Sequence, residues 1–509
     1  MFAYAFAAMA KSLRLLAGLA LALSTAAASA QDPAGFTERL RPRIQMADAP
    51  QTWTLDERMA HYGVPGVALA IIENGEIVHA AGYGVLQAGA PDRVDADTVF
   101  SAGSVSKIAT ATLILRLVEA GYLDLDADAL TGVTSWSLPA ARDTAAGTPV
   151  PLRAILSHTA GFNLHGFADF PPGAELPDTV ETLNGSMPAV HEALARQTPS
   201  GERYRYSGGG YTLAQLLVSD VMVSPFADVA AIHLFEPLGM TRSTFANPLP
   251  EDFGNIARAH NASGEPAALP RGYEAMPEAA ASGLWTSARD LGRLTAALIG
   301  SYRGSGHALA QSRAVEMMTR VAPGEHGLGP RLAGRGEDFI FHHGGANNSY
   351  RAWIEGHLTT GGGLVILTNG TQGRALIDEI RNAVADTMGW ALNRPVLAPA
   401  VAPDIAVLEA YAGTYTVDPD FPLAVRQQMV GWIFESDVEV RVEDGALVIG
   451  RAGGDRFDAL IPLTPTRFAM PGLSQTVGIA EFEFHRNALG ETTGARLRLA
   501  NAQSHYLRQ

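Results

Sequence analysis

The sequence predicts an α+β protein: an antiparallel sheet flanked by helices and interrupted by a helical insertion, followed by a small all-β, barrel-like domain. Three observations predict it. Strand signals cluster at the two ends of residues 31–393, at Val64–Glu73 and Glu76–Gly82 and again at Phe339–His343, Tyr350–His357 and Leu364–Asn369, with mostly helical and loop-rich sequence between. A sheet built from both ends of one domain is the simplest arrangement of that pattern. Residues 394–404 then turn rich in Pro and Ala (Pro395, Pro399, Pro403), the composition of a linker. Beyond it, in residues 405–509, short alternating segments replace the helical patterns.

Taken in order, the chain begins with Lys11 and Arg14 before the apolar run Leu15–Leu23 and the small residues Ala28-Ser29-Ala30. That is the pattern of a cleavable signal peptide over residues 1–30, with cleavage near Ala30/Gln31 and a periplasmic or secreted mature protein. Met9 gives a more conventional start than Met1, because Met1–Ala8 carries no charge. Phe36–Tyr62 mixes apolar and charged residues at helical spacing and is expected to pack on the outside of the domain. Asn74-Gly75 joins the first two strands, the strongest short hairpin signal. From Val105 to Val118 nearly every side chain is apolar or small, and Gly121 follows as a stop, which predicts a helix buried on most sides. A helix is expected over Ala375–Leu392, ahead of the linker. In the last domain, Asp437–Glu443 and Ala446–Ile449 flank the turn Asp444-Gly445, with further strands at Ile479–His485 and Ala495–Leu499.

Composition narrows the functions open to this chain. It has 509 residues, 47% of them hydrophobic, enough to bury large cores, and a formal net charge of −15, which disfavours nucleic acid as a partner. Cysteine is absent, so there is no disulfide, thiolate metal site or cysteine nucleophile. No serine lies in G-x-S-x-G, no lysine follows glycine as in a phosphate-binding loop, and His191-Glu192 lacks the second histidine of H-E-x-x-H. No metal and no organic cofactor are expected, and no segment after the leader reads as a membrane span.

What chemistry remains gathers at Ser104 and Lys107. Three residues apart at the start of the buried helix, they share one face, and the free N–H groups of the helix start point at whatever the serine attacks. The 37 basic residues include only two lysines, Lys11 in the leader and Lys107. Elsewhere the chain uses Arg, which stays charged; an amine can lose its proton when desolvated and act as a base. An activated nucleophile beside a base is the reading that follows. Two further stretches join it. Arg205-Tyr206-Ser207-Gly208-Gly209-Gly210-Tyr211 sets a tyrosine on a glycine-rich turn before an apolar helix, where a phenol can relay protons. Phe341-His342-His343-Gly344-Gly345-Ala346 is a strand ending in glycines, where backbone N–H groups can approach a ligand.

With these motifs in view, the chain resembles the serine β-lactamase and penicillin-binding-protein superfamily, in its class C-like branch of esterases, D-aminopeptidases and carboxypeptidase-like hydrolases. The resemblance runs from about Val64 to Trp390. It is carried by Ser104-Val105-Ser106-Lys107, Leu156-Ser157-His158-Thr159-Ala160-Gly161, Tyr206-Ser207-Gly208, Pro237-Leu238-Gly239-Met240, Ser282–Leu291 and His343-Gly344-Gly345. Within Ser282–Leu291, Ser287 and Asp290 read as a capping box. His343 is aligned in preference to its neighbour His342 because Tyr350 and Arg351 then fall on the branch's aromatic-Arg pair. Leu408–Tyr415 resembles the lipocalin-like barrels attached to such hydrolases.

The resemblance implies a β-lactamase/transpeptidase-like fold and an acyl-enzyme on Ser104, with Lys107 as proton acceptor and Tyr206 as the group that shuttles the proton and activates water. It implies an oxyanion hole from the backbone N–H groups of Ser104 and Ala346, His343 hydrogen-bonding Tyr206 or orienting substrate, and substrate contacts at Gly208, Gly345 and Arg351. The branch commonly has Asn where this chain has Gly208, a departure that weighs against efficient β-lactam hydrolysis. The sequence leaves three functions open: a hydrolase of esters or D-amino-acid amides and peptides, a true β-lactamase, and a non-catalytic penicillin-recognising scaffold. The partner expected is a small-molecule or peptide acyl substrate.

Overall fold

Asn74 and Gly75 both take positive φ, 53° and 80°. They close a two-residue hairpin between β1 (Gly66–Glu73) and β2 (Glu76–Gly84). In the computed structural model, which describes residues 32–139, 147–170, 174–269, 271–322, 324, 326–399, 403–421, 436–471, 479–499 and 502–509, this hairpin forms one side of a six-stranded sheet. The other strands are β3 (Arg331–Ala333), β4 (Ile340–Ala346), β5 (Arg351–His357) and β6 (Gly363–Thr368). Their order is β2-β1-β6-β5-β4-β3, antiparallel throughout. The sheet is therefore made from both ends of the domain, as the sequence pattern predicts.

Both faces of the sheet are covered, and β1 shows why its sequence is apolar at every position before Glu73. Ala68, Ala70 and Ile72 enter the large core on one face, while Val67, Leu69 and Ile71 enter a second core on the other. The helix α1 (Ser106–Glu119), the tyrosine-side helix α2 (Gly208–Met222) and α3 (Ala288–Arg303) pack on the first side. On the second side α4 (Gly373–Met388) lies over β5 and β6. It ends earlier than the sequence suggests because Gly389 adopts a left-handed conformation and the Trp390 N–H caps Ala385 O.

Two further expectations are corrected. Phe36–Tyr62 is helical only at its ends, in a 3-10 turn at Pro33–Glu38 and a helix at Leu55–Tyr62, with the strand Ile44–Met46 between. Pro42 and Pro50 explain the break, since a residue before proline avoids the helical region. Ser287 does cap α3 through Asp290 N–H, but the reciprocal half of the capping box is not formed. The Asp290 carboxylate instead accepts from Arg242 N–H, Ser243 Oγ and Arg293.

Val396–Ala398, within the Pro/Ala stretch, pairs in parallel with Ile44–Met46. Eight strands from Gly413–Val417 to Ala502–Arg508 then form a closed barrel, preceded by the short helix Ile405–Glu409. Its interior is packed by Tyr411, Tyr415, Phe468, Phe482, Phe484 and Tyr506, with Tyr411 stacked on Phe484 at 4.2 Å. The leader, residues 1–30, lies outside the described residues. Among the described residues no single helix is long and apolar enough to cross a membrane.

Candidate active site

Ser104 stands on a 3-10 turn, Gly103–Val105, that feeds directly into α1. The helix proper begins two residues later than the serine, yet i and i+3 still eclipse in a 3-10 turn. Lys107 Nζ consequently lies 3.2 Å from Ser104 Oγ. The lysine is only 2% exposed and its Nζ also donates to Ala281 O at 2.7 Å. The Tyr206 phenol lies beside both Ser104 and Lys107, with its ring centroid 4.9 Å from Lys107 Nζ.

Tyr206 lies at the turn into α2, which Ser207 caps by accepting the Gly210 N–H at 3.1 Å. The neighbouring tyrosines turn elsewhere: Tyr204 bonds His326 Nε2 at 2.9 Å and Tyr211 donates to Leu156 O at 3.0 Å. Of the three, Tyr206 alone lines the pocket. Burial pushes its phenol up. The positive charges of Lys107 and Arg331 and the bonds with Ser104 and Lys107 outweigh that, so the phenol is more acidic than usual.

The glycines of β4 bring its backbone against the serine turn. A Cβ on Gly345 would sit 1.9 Å from Ala102 O, and one on Gly103, whose φ is +50°, would sit 2.7 Å from Ala346 N. No side chain fits at either point. Asn347 N–H donates to Tyr350 O, and antiparallel ladder bonds alternate, so Ala346, opposite Arg351, turns its N–H away from β5 toward the serine turn. The N–H groups of Ser104 and Ala346 thus border one space, as an oxyanion site requires.

His343 faces this space: its ring lies 6.1 Å from that of Tyr206, and Nδ1 donates to Gly344 O at 2.7 Å, leaving Nε2 as a buried acceptor without a partner. His342 points to the other face of the strand and stacks on Trp353, although it too borders the cavity. Burial, then the charges of Arg331 and Lys107, hold His343 well below its usual range, so it is a neutral imidazole. Gly208 lines the pocket at the start of α2, and a Cβ there would meet Phe167 Cε2 at 2.9 Å. An asparagine at this position would require the Phe167 ring to shift. Arg351 also lines it, but its Nη1 is bound to the carbonyls of Asn347, Asn348 and Tyr350. It braces the turn after β4.

Sequence reasoning missed Arg331. This half-buried residue lines the pocket with its guanidinium 5.4 Å from the Tyr206 ring, and it makes no ion pair among the described residues. A lone arginine at the start of a three-residue strand carries no spacing signal. The roles of His158 and His326 were also missed. His158 stacks on Tyr206 at 4.3 Å and holds the turn by accepting Ser207 N–H at Nδ1, and His326 packs edge-on against it at 4.8 Å. The His158 signal was present in Leu156–Gly161, whose tight turn puts His158 at φ 61°. The whole group opens on a cavity of about 560 Å³. Among the described residues, no group of three His, Asp or Glu could hold a metal ion.

A buried amine bonded to a half-buried serine, with a phenol and a glycine-rich strand beside them on one cavity, is the set of groups that acyl transfer through a serine uses. The chain belongs to the Beta-lactamase family, which matches residues 54–387. Among its relatives, Penicillin-binding protein 4 of Amycolatopsis lactamdurans is 32% identical over 205 residues, covering 39% of this chain and 48% of that protein. A Beta-lactamase of Lysobacter lactamgenus is 28% identical over 251 residues, 49% of this chain and 60% of that one. The chain thus spans about half the length of these curated relatives. The octameric penicillin-binding protein homologue from Pyrococcus abyssi shares the fold, with a TM-score of 0.55 and 21% identity over 89% of this chain and 98% of that one.

Proposed function

We propose that this protein is an exported serine hydrolase that cleaves an ester, or a D-amino-acid amide or peptide, through an acyl-enzyme on Ser104. The observation that carries the reading is the enclosed amine: Lys107 Nζ, 3.2 Å from Ser104 Oγ and anchored on Ala281 O. As a neutral amine Lys107 keeps one N–H on Ala281 O, which turns its lone pair to the serine. Ser104 Oγ then attacks the substrate carbonyl while its proton passes to Lys107. The oxyanion forms against the N–H groups of Ser104 and Ala346. Tyr206, beside both residues and acidified by its surroundings, relays that proton from Lys107 to the leaving group; the water that releases the acyl group then gives a proton through the phenol to Lys107, which returns it to Ser104 Oγ as the acyl bond breaks. The neutral His343 offers Nε2 as an acceptor on the same side. Arg331, without an acidic partner, suits a carboxylate on the departing part of the substrate.

A β-lactamase is the second reading, supported by the family and weakened by Gly208, which offers no side-chain amide to the substrate. The test measures Ser104 labelling by a fluorophosphonate and a fluorescent penicillin, beside hydrolysis of a short-chain ester, a D-alanyl peptide and a chromogenic cephalosporin. Ester or peptide turnover abolished in Ser104→Ala is expected. Turnover that survives Ser104→Ala would sink the reading, and cephalosporin turnover matching that of the ester would favour the second. Export is tested by fractionation and N-terminal sequencing, with Gln31 the expected first residue.

A further inference from the structure

Buried His158 holds the chain on both sides of Tyr206. Its carbonyl accepts the Arg205 N–H at 2.8 Å and its ring Nδ1 accepts the Ser207 N–H at 3.1 Å, so the residues before and after the phenol are tied to one partner. Between those two bonds the imidazole lies on the Tyr206 ring, with centroids 4.3 Å apart and planes at 30°. His158 does this from φ 61°, a left-handed conformation uncommon for residues with a side chain and entered more readily by His, Asn and Asp than by most. An uncommon backbone conformation in a buried residue persists only where the surrounding structure enforces it.

We propose that His158 is the positioning residue for Tyr206: by gripping the main chain on either side of the phenol, it holds that phenol beside Ser104 and Lys107. The proposal rests on the reading of Tyr206 as the proton relay and deepens it. The bond at Nδ1 fixes the tautomer, because a ring nitrogen that accepts an N–H carries no proton, which leaves the hydrogen on Nε2. A second proton, on Nδ1, would face the Ser207 N–H donor against donor and release the turn. Burial keeps the ring from taking that proton, helped by the charge of Lys107 and, in the same direction, by His343, Arg331 and His165. The other groups packed on the ring are uncharged: Tyr204 and Tyr211 are phenols whose ionisation burial pushes up, and burial holds His326 well below its usual range. Lys107 and Arg331 are also the charges that acidify Tyr206. The two cations that tune the phenol therefore preserve the acceptor that holds it.

Packing alone asks for bulk at position 158, whereas the grip asks for an acceptor where Nδ1 stands. Leucine supplies the first without the second. Asparagine supplies the second without the ring: its Oδ1 lies as many bonds from Cα as Nδ1 does, and it tolerates positive φ. The test is the pH profile of kcat/KM on a chromogenic ester for His158→Leu, His158→Asn and Tyr206→Phe, with thermal melting of each. The limb to follow is the acid limb that Tyr206→Phe removes. His158→Leu should slow acylation by about ten- to hundredfold, as small misplacements do, and its limb should move to higher pH as the phenol leaves Lys107 and Arg331. His158→Asn should bring back the limb and most of the rate. Lost packing would lower the rate at every pH and leave the limb in place, so an unmoved limb in a folded His158→Leu enzyme would overturn the proposal. An asparagine variant no better than the leucine one would do the same. If His158→Leu does not fold, long-range nitrogen–proton spectra decide: the histidine signals lost in His158→Asn should be those of an Nε2–H tautomer, and an Nδ1–H tautomer or an imidazolium would overturn the proposal. A Tyr206→Phe enzyme that keeps the wild-type rate and limb would overturn the relay reading, and this proposal with it.

Discussion

Replacing Lys107 with Arg separates the two things this residue can supply, a positive charge and a removable proton. The native amine is enclosed: 2.7 Å from Ala281 O, 3.2 Å from Ser104 Oγ, 4.9 Å from the Tyr206 ring and 5.6 Å from that of Tyr211. A guanidinium keeps the charge and has donors enough for both oxygens, but it does not deprotonate in a protein. If Lys107 takes the Ser104 proton, general-base assistance disappears and acylation should slow by about 100- to 10,000-fold. That is roughly 3–5 kcal/mol in the barrier. The assay is single-turnover release from a chromogenic ester, with thermal melting of each variant to separate misfolding from lost chemistry. Tyr206→Phe, measured in parallel, should fall less in acylation than Lys107→Arg. A folded Lys107→Arg enzyme within about tenfold of wild type, or a deeper loss in Tyr206→Phe, would refute the lysine-as-base argument and assign the proton to the phenol.

The remaining predictions concern the surroundings of that pair. Arg331→Met removes a positive charge that acidifies Tyr206; the acid limb of kcat/KM should move to higher pH, and an unmoved limb would show that the limb is not set by the phenol. Gly345→Ala drives a Cβ to 1.9 Å from Ala102 O and should cost about 100-fold or more in acylation by displacing the Ala346 N–H, whereas Gly344→Ala meets only ordinary contacts at 3.5 Å and should be tolerated; equal losses would break the argument. Glu355 is 1% exposed; burial alone would raise its carboxyl, but Arg381, His357 and Trp353 hold it well below the usual range. Its stabilisation is present above the unfolded carboxylate pKa and lost as pH falls through the depressed folded value. Glu355→Ala, which takes from Arg381 its buried carboxylate and leaves it Asp378 at 3.6 Å, should destabilise by about 3–5 kcal/mol in denaturant titration at neutral pH, and a change under about 1 kcal/mol would contradict this. A chain ending after residue 399 keeps the pairing of Val396–Ala398 with Ile44–Met46 and should still fold and acylate Ser104 with altered substrate preference; an insoluble product would show a core shared with the barrel.

What the sequence reveals of this site follows from how local each signal is. Ser104 and Lys107 are neighbours on one turn, so their meeting is written in their spacing, and the scarcity of lysine marks the second of them. The strands were visible because β1 is apolar at every buried position and β6 at all of them but Thr368, and the hairpin because Asn74-Gly75 permits few other turns. Tyr206 and Ala346 were reachable through motifs, since glycines beside each announce a close backbone approach. Arg331 was not. It is a single charged residue whose neighbours in space come from other parts of the chain, and no local pattern distinguishes it from surface charge. The capping box at Ser287 failed in part for the same reason: Asp290 found partners in Arg242 and Ser243, which no reading of ten consecutive residues could supply.

The sheet that joins both ends of the domain also fixes when the protein becomes active during its own manufacture. Asn369 Oδ1 accepts the Gly66 N–H, a contact spanning 303 residues, and Asn369 Nδ2 reaches back to Leu86 O. At about 5–20 residues per second, a ribosome needs roughly 15–60 s to make that interval. For most of that period Ser104 and Lys107 exist but the strand bearing His343 and Ala346 does not, and closing so long a loop must precede the pairings that reward it. The serine is therefore made early and left without its surroundings. The strand β4 arrives late, and the sheet that holds it in place closes only when β6 slots between β1 and β5, so a partly made chain has no assembled site.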